Sequence, residues 1–210
     1  MESEFWHKIW KDNQIGFHES KVNPLLATHF NKLGLAQGSR IFLPLCGKTL
    51  DIEWLLKSGY QVVGVELSEL AVEELFDSLD MQPQISKRGE LTLYRGDDLH
   101  VFVGDIFAFT ADVLGSIDAI YDRAALIALP SPMRGRYAKH LCLITQSAKQ
   151  LLVCLEYDQG LMQGPPFSLT KDEVLNRYSR NYEITRLETR EIKGGFKGEI
   201  PASETVWLLT

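Results

Sequence analysis

Short, largely apolar runs recur along this chain with helical patterns between them, and that alternation restricts the fold more than any other feature. Ile41-Phe42-Leu43-Pro44-Leu45, Val62-Val63-Gly64-Val65, Ile117-Asp118-Ala119-Ile120-Tyr121 and Leu151-Leu152-Val153-Cys154-Leu155 read as strands. Strands without polar alternation are buried on both faces, which points to a parallel sheet with helical crossovers. The first crossover helix runs from about Thr49 to Ser58 and stops at Gly59. The second starts after the cap Ser68 and reaches about Leu79, and a third covers about Pro132 to Lys149. The fold class is α/β.

Two helices precede the first strand. Ser3 is placed to cap the first, in which Phe5, Trp6, Ile9 and Trp10 share one face. Asn23 caps the second, Pro24 takes its first position, Leu25, Leu26, Phe30 and Leu33 form its stripe, and Gly34 ends it. These helices are expected to form a cover, residues 1–38, over an α/β core of residues 39–210, within one domain spanning 1–210. Leu91 to Arg95 and His100 to Val103 read as a hairpin, Thr170 and Glu173 as a capping box, and Tyr182 to Thr210 as two strands around a glycine-rich turn.

With 210 residues, one core can bury roughly 70% of the unfolded chain's surface without a disulfide or structural metal. Cys46, Cys142 and Cys154 are far apart and odd in number, so they read as free thiols. His7, His18, His29, His100 and His140 show neither metal spacing nor a triad context, and no metal is expected. The net charge of -6 and the absence of a basic cluster argue against a nucleic-acid partner. No apolar run approaches the roughly 18 residues of a membrane span, and the start Met1-Glu2-Ser3-Glu4 is acidic where a secretory signal is basic. A cytoplasmic monomer is expected.

In an open parallel sheet, ligands bind beyond the carboxyl ends of the strands near the switch point. Those positions hold Leu45-Cys46-Gly47, Glu66, Asp105-Ile106 and Asp122-Arg123. Glu66 follows Gly47 at close to the spacing where an acid ending the second strand accepts both ribose hydroxyls of a nucleotide; a solvated carboxylate is its alternative. Gly47 stands alone, so the dinucleotide fingerprint is absent. Gly47-Lys48-Thr49 resembles the end of a P-loop, but Phe42 occupies the place of that motif's first glycine. A nucleotide without a polyphosphate suits this loop better than ATP or NAD. Asp105 suits either an adenine amino group, with Ile106 packed on the ring, or a helix N-cap. Arg123, placed directly after its strand and partly buried, requires a ligand, Asp122 or another structural acid as partner.

Several segments carry a family resemblance: Trp6 to Trp10, Gly16-Phe17-His18, Phe42 to Lys48, Val62 to Leu70, Tyr121 to Leu126 and Gly164-Pro165-Pro166-Phe167. In that order they resemble the thiopurine S-methyltransferases, in their short bacterial form. The resemblance implies a class I methyltransferase fold, Rossmann-like, with a seven-stranded, mostly parallel sheet, helices on both faces and S-adenosylmethionine across the strand ends. By motif position, Trp10 and Leu45 would line the methionine end, Glu66 the ribose, and Asp105 and Ile106 the adenine. Arg123 would serve the cofactor, the substrate and catalysis, and Phe17 would pack on the acceptor ring. The basic residue that binds substrate near the C-terminal turn of longer relatives has no clean counterpart, with Lys193 and Lys197 as candidates. The implied reaction is methyl transfer to the sulfur of an aromatic or heterocyclic thiol. The alternatives are methylation of small thiols, halide or thiocyanate, or selenium or tellurium species; an NAD-linked oxidoreductase, disfavoured by the missing glycines; and a nucleotide-binding sensor.

Overall fold

A computed structural model describes residues 3–210. The first helix is α1 (Ser3–Lys11), with Ser3 inside the helix rather than capping it. The strands form one nine-stranded sheet: β1 (Arg40–Pro44), β2 (Gln61–Glu66), β3 (Gln84–Arg88), β4 (Leu91–Arg95), β5 (Leu99–Val103), β6 (Ala119–Arg123), β7 (Lys149–Tyr157), β8 (Ile184–Glu191) and β9 (Ala202–Leu209). Their order is β3-β4-β5-β2-β1-β6-β7-β9-β8. β5, β2, β1, β6 and β7 are parallel neighbours, and the outer pairings are antiparallel. The chain starts in the middle at β1 and winds outward in both directions, so the loops after β1 and β6 diverge at a switch point.

The sheet exceeds the expected seven strands because the hairpin β3–β4 extends the edge beyond β5. β3 is exposed at every residue, and Gln84-Ile85-Ser86-Lys87-Arg88 has no apolar pattern to mark it. It is a strand because β4 supplies a partner, which outweighs its composition.

Alternation along β1 explains the two layers. Ile41 and Leu43 enter one core with Leu25 and Leu26 of α2 (Pro24–His29), Ile52 and Leu55 of α3 (Leu50–Lys57), and Val72 and Leu75 of α4 (Glu69–Ser78). Phe42 enters the other with Leu114 of α5 (Ala111–Leu114), Tyr137 and Leu141 of α6 (Ser131–Thr145), and Val174 of α7 (Lys171–Tyr178). The caps expected at Asn23, Ser68 and Thr170 form: Asn23 Oδ1 accepts from the N–H of Leu25 and Leu26, Ser68 from Ala71 and Thr170 from Glu173, while Thr49, expected as the first residue of its helix, caps it by accepting from Asp51. Glu173 does not complete the capping box, because its carboxylate turns to Arg134 and Arg177.

Two boundaries differ from the sequence pattern. α6 ends at Thr145 because Gln146 and Ser147 turn the chain with φ of 53 and 55, and Lys149 already belongs to β7. β6 is displaced toward the C-terminus: Asp118 lies before it, taking the Arg40 N–H on Oδ2 at 2.7 Å, so Asp122 and Arg123 lie inside the strand rather than after it. Among the described residues, no helix is long and apolar enough to cross a membrane.

Candidate active site

A cleft of about 1170 Å³ opens over the carboxyl ends of the central strands, a volume that suits a nucleoside-sized ligand together with a second small molecule. Trp10, Phe17, Leu45, Glu66, Asp105, Ile106 and Arg123 all line it. These residues come from six places in the sequence, and the sheet topology brings them together.

The loop after β1 is shaped by backbone geometry. Leu45 has φ of 47, a left-handed conformation that a branched side chain rarely adopts, and Gly47 follows at φ of 52. A Cβ on Gly47 would lie 2.9 Å from the Trp10 ring, so glycine lets α1 close against the loop. Glu66, 6% exposed, ties this loop to the end of β2: Gly47 N–H donates to Oε2 at 2.9 Å and Ser68 N–H donates to Oε1 at 2.9 Å. Burial pushes the Glu66 carboxyl up, while backbone N–H groups of Ser68, Gly47 and Leu67 oppose that shift. Gly47 holds one oxygen and Ser68 the other, and a carboxylate oxygen with one such bond keeps capacity to accept another. Farther along, Asp105 Oδ1 accepts the Phe107 N–H at 2.9 Å, so Asp105 is a cap as well as a cleft residue, and Ile106 beside it is 4% exposed.

The opposite end is built around Arg123. Its guanidinium donates to Glu19 and, at 3.5 Å, to the Phe17 carbonyl, so its structural acid is Glu19 and not Asp122. Asp122 points the other way, into the core, where it accepts from Tyr137 Oη at 2.7 Å and Leu126 N–H at 3.2 Å; burial pushes its carboxyl up to about 6. Phe17 packs edge-on against Trp10 at 5.5 Å and Trp6 at 6.0 Å, joining the Arg123 end to the Gly47 loop through aromatic contacts. His18 is held below its ordinary value first by burial, then by Lys48 and Arg123. Of the two candidate lysines near the C-terminal turn, Lys197 lines the cleft.

Several cleft residues had no signal in the sequence. Asp51, 1% exposed, accepts the Asn23 N–H at 2.8 Å on one oxygen and Tyr121 Oη at 3.0 Å on the other, which fastens the start of α2 to α3 and β6. Arg136 stacks on Phe107 with 3.7 Å from guanidinium carbon to ring centroid. Glu19 follows Gly16-Phe17-His18 directly, but nothing local announces a partner more than a hundred residues away.

Comparison with known proteins gives this arrangement its context. The family model described as thiopurine S-methyltransferase matches residues 1–205. The chain belongs to the thiopurine S-methyltransferase family. Curated thiopurine S-methyltransferases from Xanthobacter autotrophicus and Teredinibacter turnerae are each 51% identical to it over 210 residues, covering all of this chain and 99% and 98% of theirs. Solved structures share the fold at low identity. The Burkholderia thailandensis 1,6-didemethyltoxoflavin-N1-methyltransferase, crystallised with 1,6-didemethyltoxoflavin and S-adenosylhomocysteine, is 14% identical with a TM-score of 0.68, covering 99% of this chain and 87% of its own. Magnesium protoporphyrin IX methyltransferase from Synechocystis, with bound S-adenosylhomocysteine, is 13% identical with a TM-score of 0.62 over the whole of both chains. The fold is that of class I methyltransferases, with the β3–β4 hairpin extending one edge of the sheet.

Proposed function

We propose that this chain transfers the methyl group of S-adenosylmethionine to the sulfur of aromatic or heterocyclic thiols. The observation that carries the reading is the Glu66 carboxylate, buried, locked to the Gly47 loop and still able to accept hydroxyl donors, facing the same cleft as Arg123 and Phe17. The site fits the donor on chemical grounds. A ribose offers two adjacent hydroxyls to Glu66, Asp105 Oδ2 carries no hydrogen bond among the described residues and faces an adenine amino group over Ile106, and the single glycine of the loop suits a nucleotide without a polyphosphate.

When bound, S-adenosylmethionine supplies a methyl group on a cationic sulfur that is open to in-line displacement. The chain's own part is alignment and exclusion of water. Trp10, 5% exposed, presents its ring to the methionine end, where attraction to a cation contributes ~0.5 to 2 kcal/mol. Phe17 packs on the acceptor ring, and Arg123 stands by the acceptor sulfur and favours its thiolate form, since a nearby fixed positive charge lowers a thiol's pKa. Residues 1–38 serve as a cover and 39–210 as the core of a single domain. The protein acts as a cytoplasmic monomer on small molecules, without nucleic-acid or membrane partners.

The test is a labelled methyl-transfer panel over thiopurines, thiophenols, selenite and tellurite, paired with calorimetry of S-adenosylhomocysteine and NAD. Turnover of the sulfur acceptors with micromolar binding of S-adenosylhomocysteine is expected. Binding of NAD in place of S-adenosylhomocysteine, or methylation confined to selenite and tellurite, would overturn the assignment.

A further inference from the structure

Five carboxylates line the cleft, and their partners separate them. Glu66 is committed to two backbone N–H groups, Asp51 to Asn23 and Tyr121, and Glu204 to the Arg190 guanidinium through two donors. Asp105 sits at the other end, beside Ile106. Glu19 is different. One of its oxygens takes the Arg123 guanidinium, its second oxygen carries no hydrogen bond among the described residues, and its side chain is 41% exposed on the cleft. It comes directly after Phe17 and His18, on the segment that brings an aromatic ring to the Arg123 end.

We infer that Glu19 is the proton acceptor for substrates whose sulfur belongs to a heterocyclic thioamide, with the exchangeable hydrogen on the ring nitrogen beside the thiocarbonyl. This rests on the sulfur-methylation reading above. An adjacent pair of hydrogen-bond donor and acceptor on the protein matches the adjacent sulfur and N–H of such a ring. Arg123 faces the sulfur while the free oxygen of Glu19 takes the N–H. In the step, the N–H bond breaks and its proton goes to Glu19. The electron pair left on nitrogen forms a C=N bond, and the C=S pair moves onto sulfur. Sulfur then bonds the methyl carbon as that carbon's bond to the donor sulfur breaks, the pair staying on the departing sulfur. A neutral thioamide, a carboxylate and a sulfonium become an S-methyl thioimidate, a carboxylic acid and a thioether, so charge and atoms balance.

The surroundings suit that exchange. Burial pushes the Glu19 carboxyl up from its ordinary value, Arg123 opposes this, Glu204 and Asp51 add to it, and Arg190 opposes it again, with a net upward direction. A carboxylate raised in this way takes a proton more readily than a solvated one.

The test compares two acceptors in wild type and Glu19→Gln, which keeps a polar group against Arg123. Pyridine-2-thione carries the ring N–H. The second acceptor, 4-nitrothiophenol, has no ring nitrogen and ionises without help near neutral pH. Glu19→Gln is expected to lose about 100-fold in kcat/KM on the thione below its own pKa, and under about threefold on 4-nitrothiophenol. The loss on the thione should close as pH rises above that pKa, and Glu19→Asp should restore part of it. A second readout needs no turnover. With S-adenosylhomocysteine present, the ultraviolet band of bound pyridine-2-thione should move toward that of its anion in wild type and stay put in Glu19→Gln. Equal losses on both acceptors would reduce Glu19 to a positioning residue for Arg123 and overturn the inference. A band that still shifts in the variant would overturn it too, with His18 as the next base to consider. If wild type methylates neither acceptor, the sulfur-methylation reading itself falls and takes this inference with it.

Discussion

Replacing Asp122 by asparagine should stabilise this protein at neutral pH and leave it nearly unchanged in acid. Asp122 is fully buried, and among the described residues no cation pairs with its carboxylate; Tyr137 Oη and the Leu126 N–H are its hydrogen-bond donors. Burial raises its carboxyl from 3.8 to about 6 in the folded state. Because the folded value lies above the unfolded one, the native state keeps a proton that the unfolded chain has released between those two pH values. The group's contribution is therefore most favourable below pH 3.8 and declines as pH rises through about 6. The whole shift corresponds to ~3 kcal/mol of destabilisation at pH values well above 6. Asparagine keeps an acceptor for the Leu126 N–H, but its amide must donate to Tyr137 Oη, which reverses that bond and gives back part of the gain. A net ~1 to 2 kcal/mol is expected, or ~3 to 6 °C in Tm for a chain of this size. Thermal unfolding of both proteins from about pH 4 to about pH 8 reads the difference directly, since groups common to both cancel. A difference that stays flat with pH, or a variant less stable than wild type at the alkaline end, would refute the reasoning and would mean that the Asp122 charge is compensated.

Glu66→Ala should weaken S-adenosylhomocysteine binding by ~5- to 150-fold in calorimetry, from ~1 to 3 kcal/mol of unpaired donors, and should also lower Tm because the buried N–H groups of Gly47 and Ser68 lose their acceptor. Unchanged binding would return Glu66 to a purely structural role. Gly47→Ala forces an L side chain into φ of 52 and against the Trp10 ring, so Trp10 fluorescence should shift and stability fall by ~1 kcal/mol or more; an unperturbed spectrum would contradict the close approach of α1 to the loop. Arg123→Lys cannot span Glu19 and the Phe17 carbonyl with one ammonium, so kcat/KM on a thiopurine should drop by about tenfold or more with most of the loss below the acceptor's thiol pKa. A loss of Tm with unchanged efficiency at every pH would make Arg123 structural.

What the sequence revealed and what it hid divide along a physical line. Asn23, Ser68 and Thr170 were readable as caps because a cap is decided within three residues. Glu66 was readable because the apolar run of β2 fixes where the strand ends, and the end of a central strand is where a ligand contacts the sheet. The hidden features depend on pairings across the fold. Arg123 meets Glu19 from the far side of the cleft, and Asp51 binds three elements at once, relations that no local spacing encodes. β6 begins later than its apolar run because Asp118 is used to hold the Arg40 N–H, which moves Arg123 into the strand and pairs it with Val153. β3 lacks any apolar signature and exists because a neighbour was available to pair with it.

The two outermost strands bear on how copies of this protein meet one another. An open sheet ends in two rows of unpaired backbone groups that invite a second molecule to dock by strand pairing. Here one row belongs to β3, fully exposed and carrying Lys87 and Arg88, and the other to β8, which is interrupted by a bulge between Arg186 and Glu188 and carries Arg190 and Glu191. β3 therefore presents positive charge along its margin, and the bulge interrupts the regular ladder of β8. The added hairpin thus lengthens the sheet and places a charged, fully exposed strand at its margin.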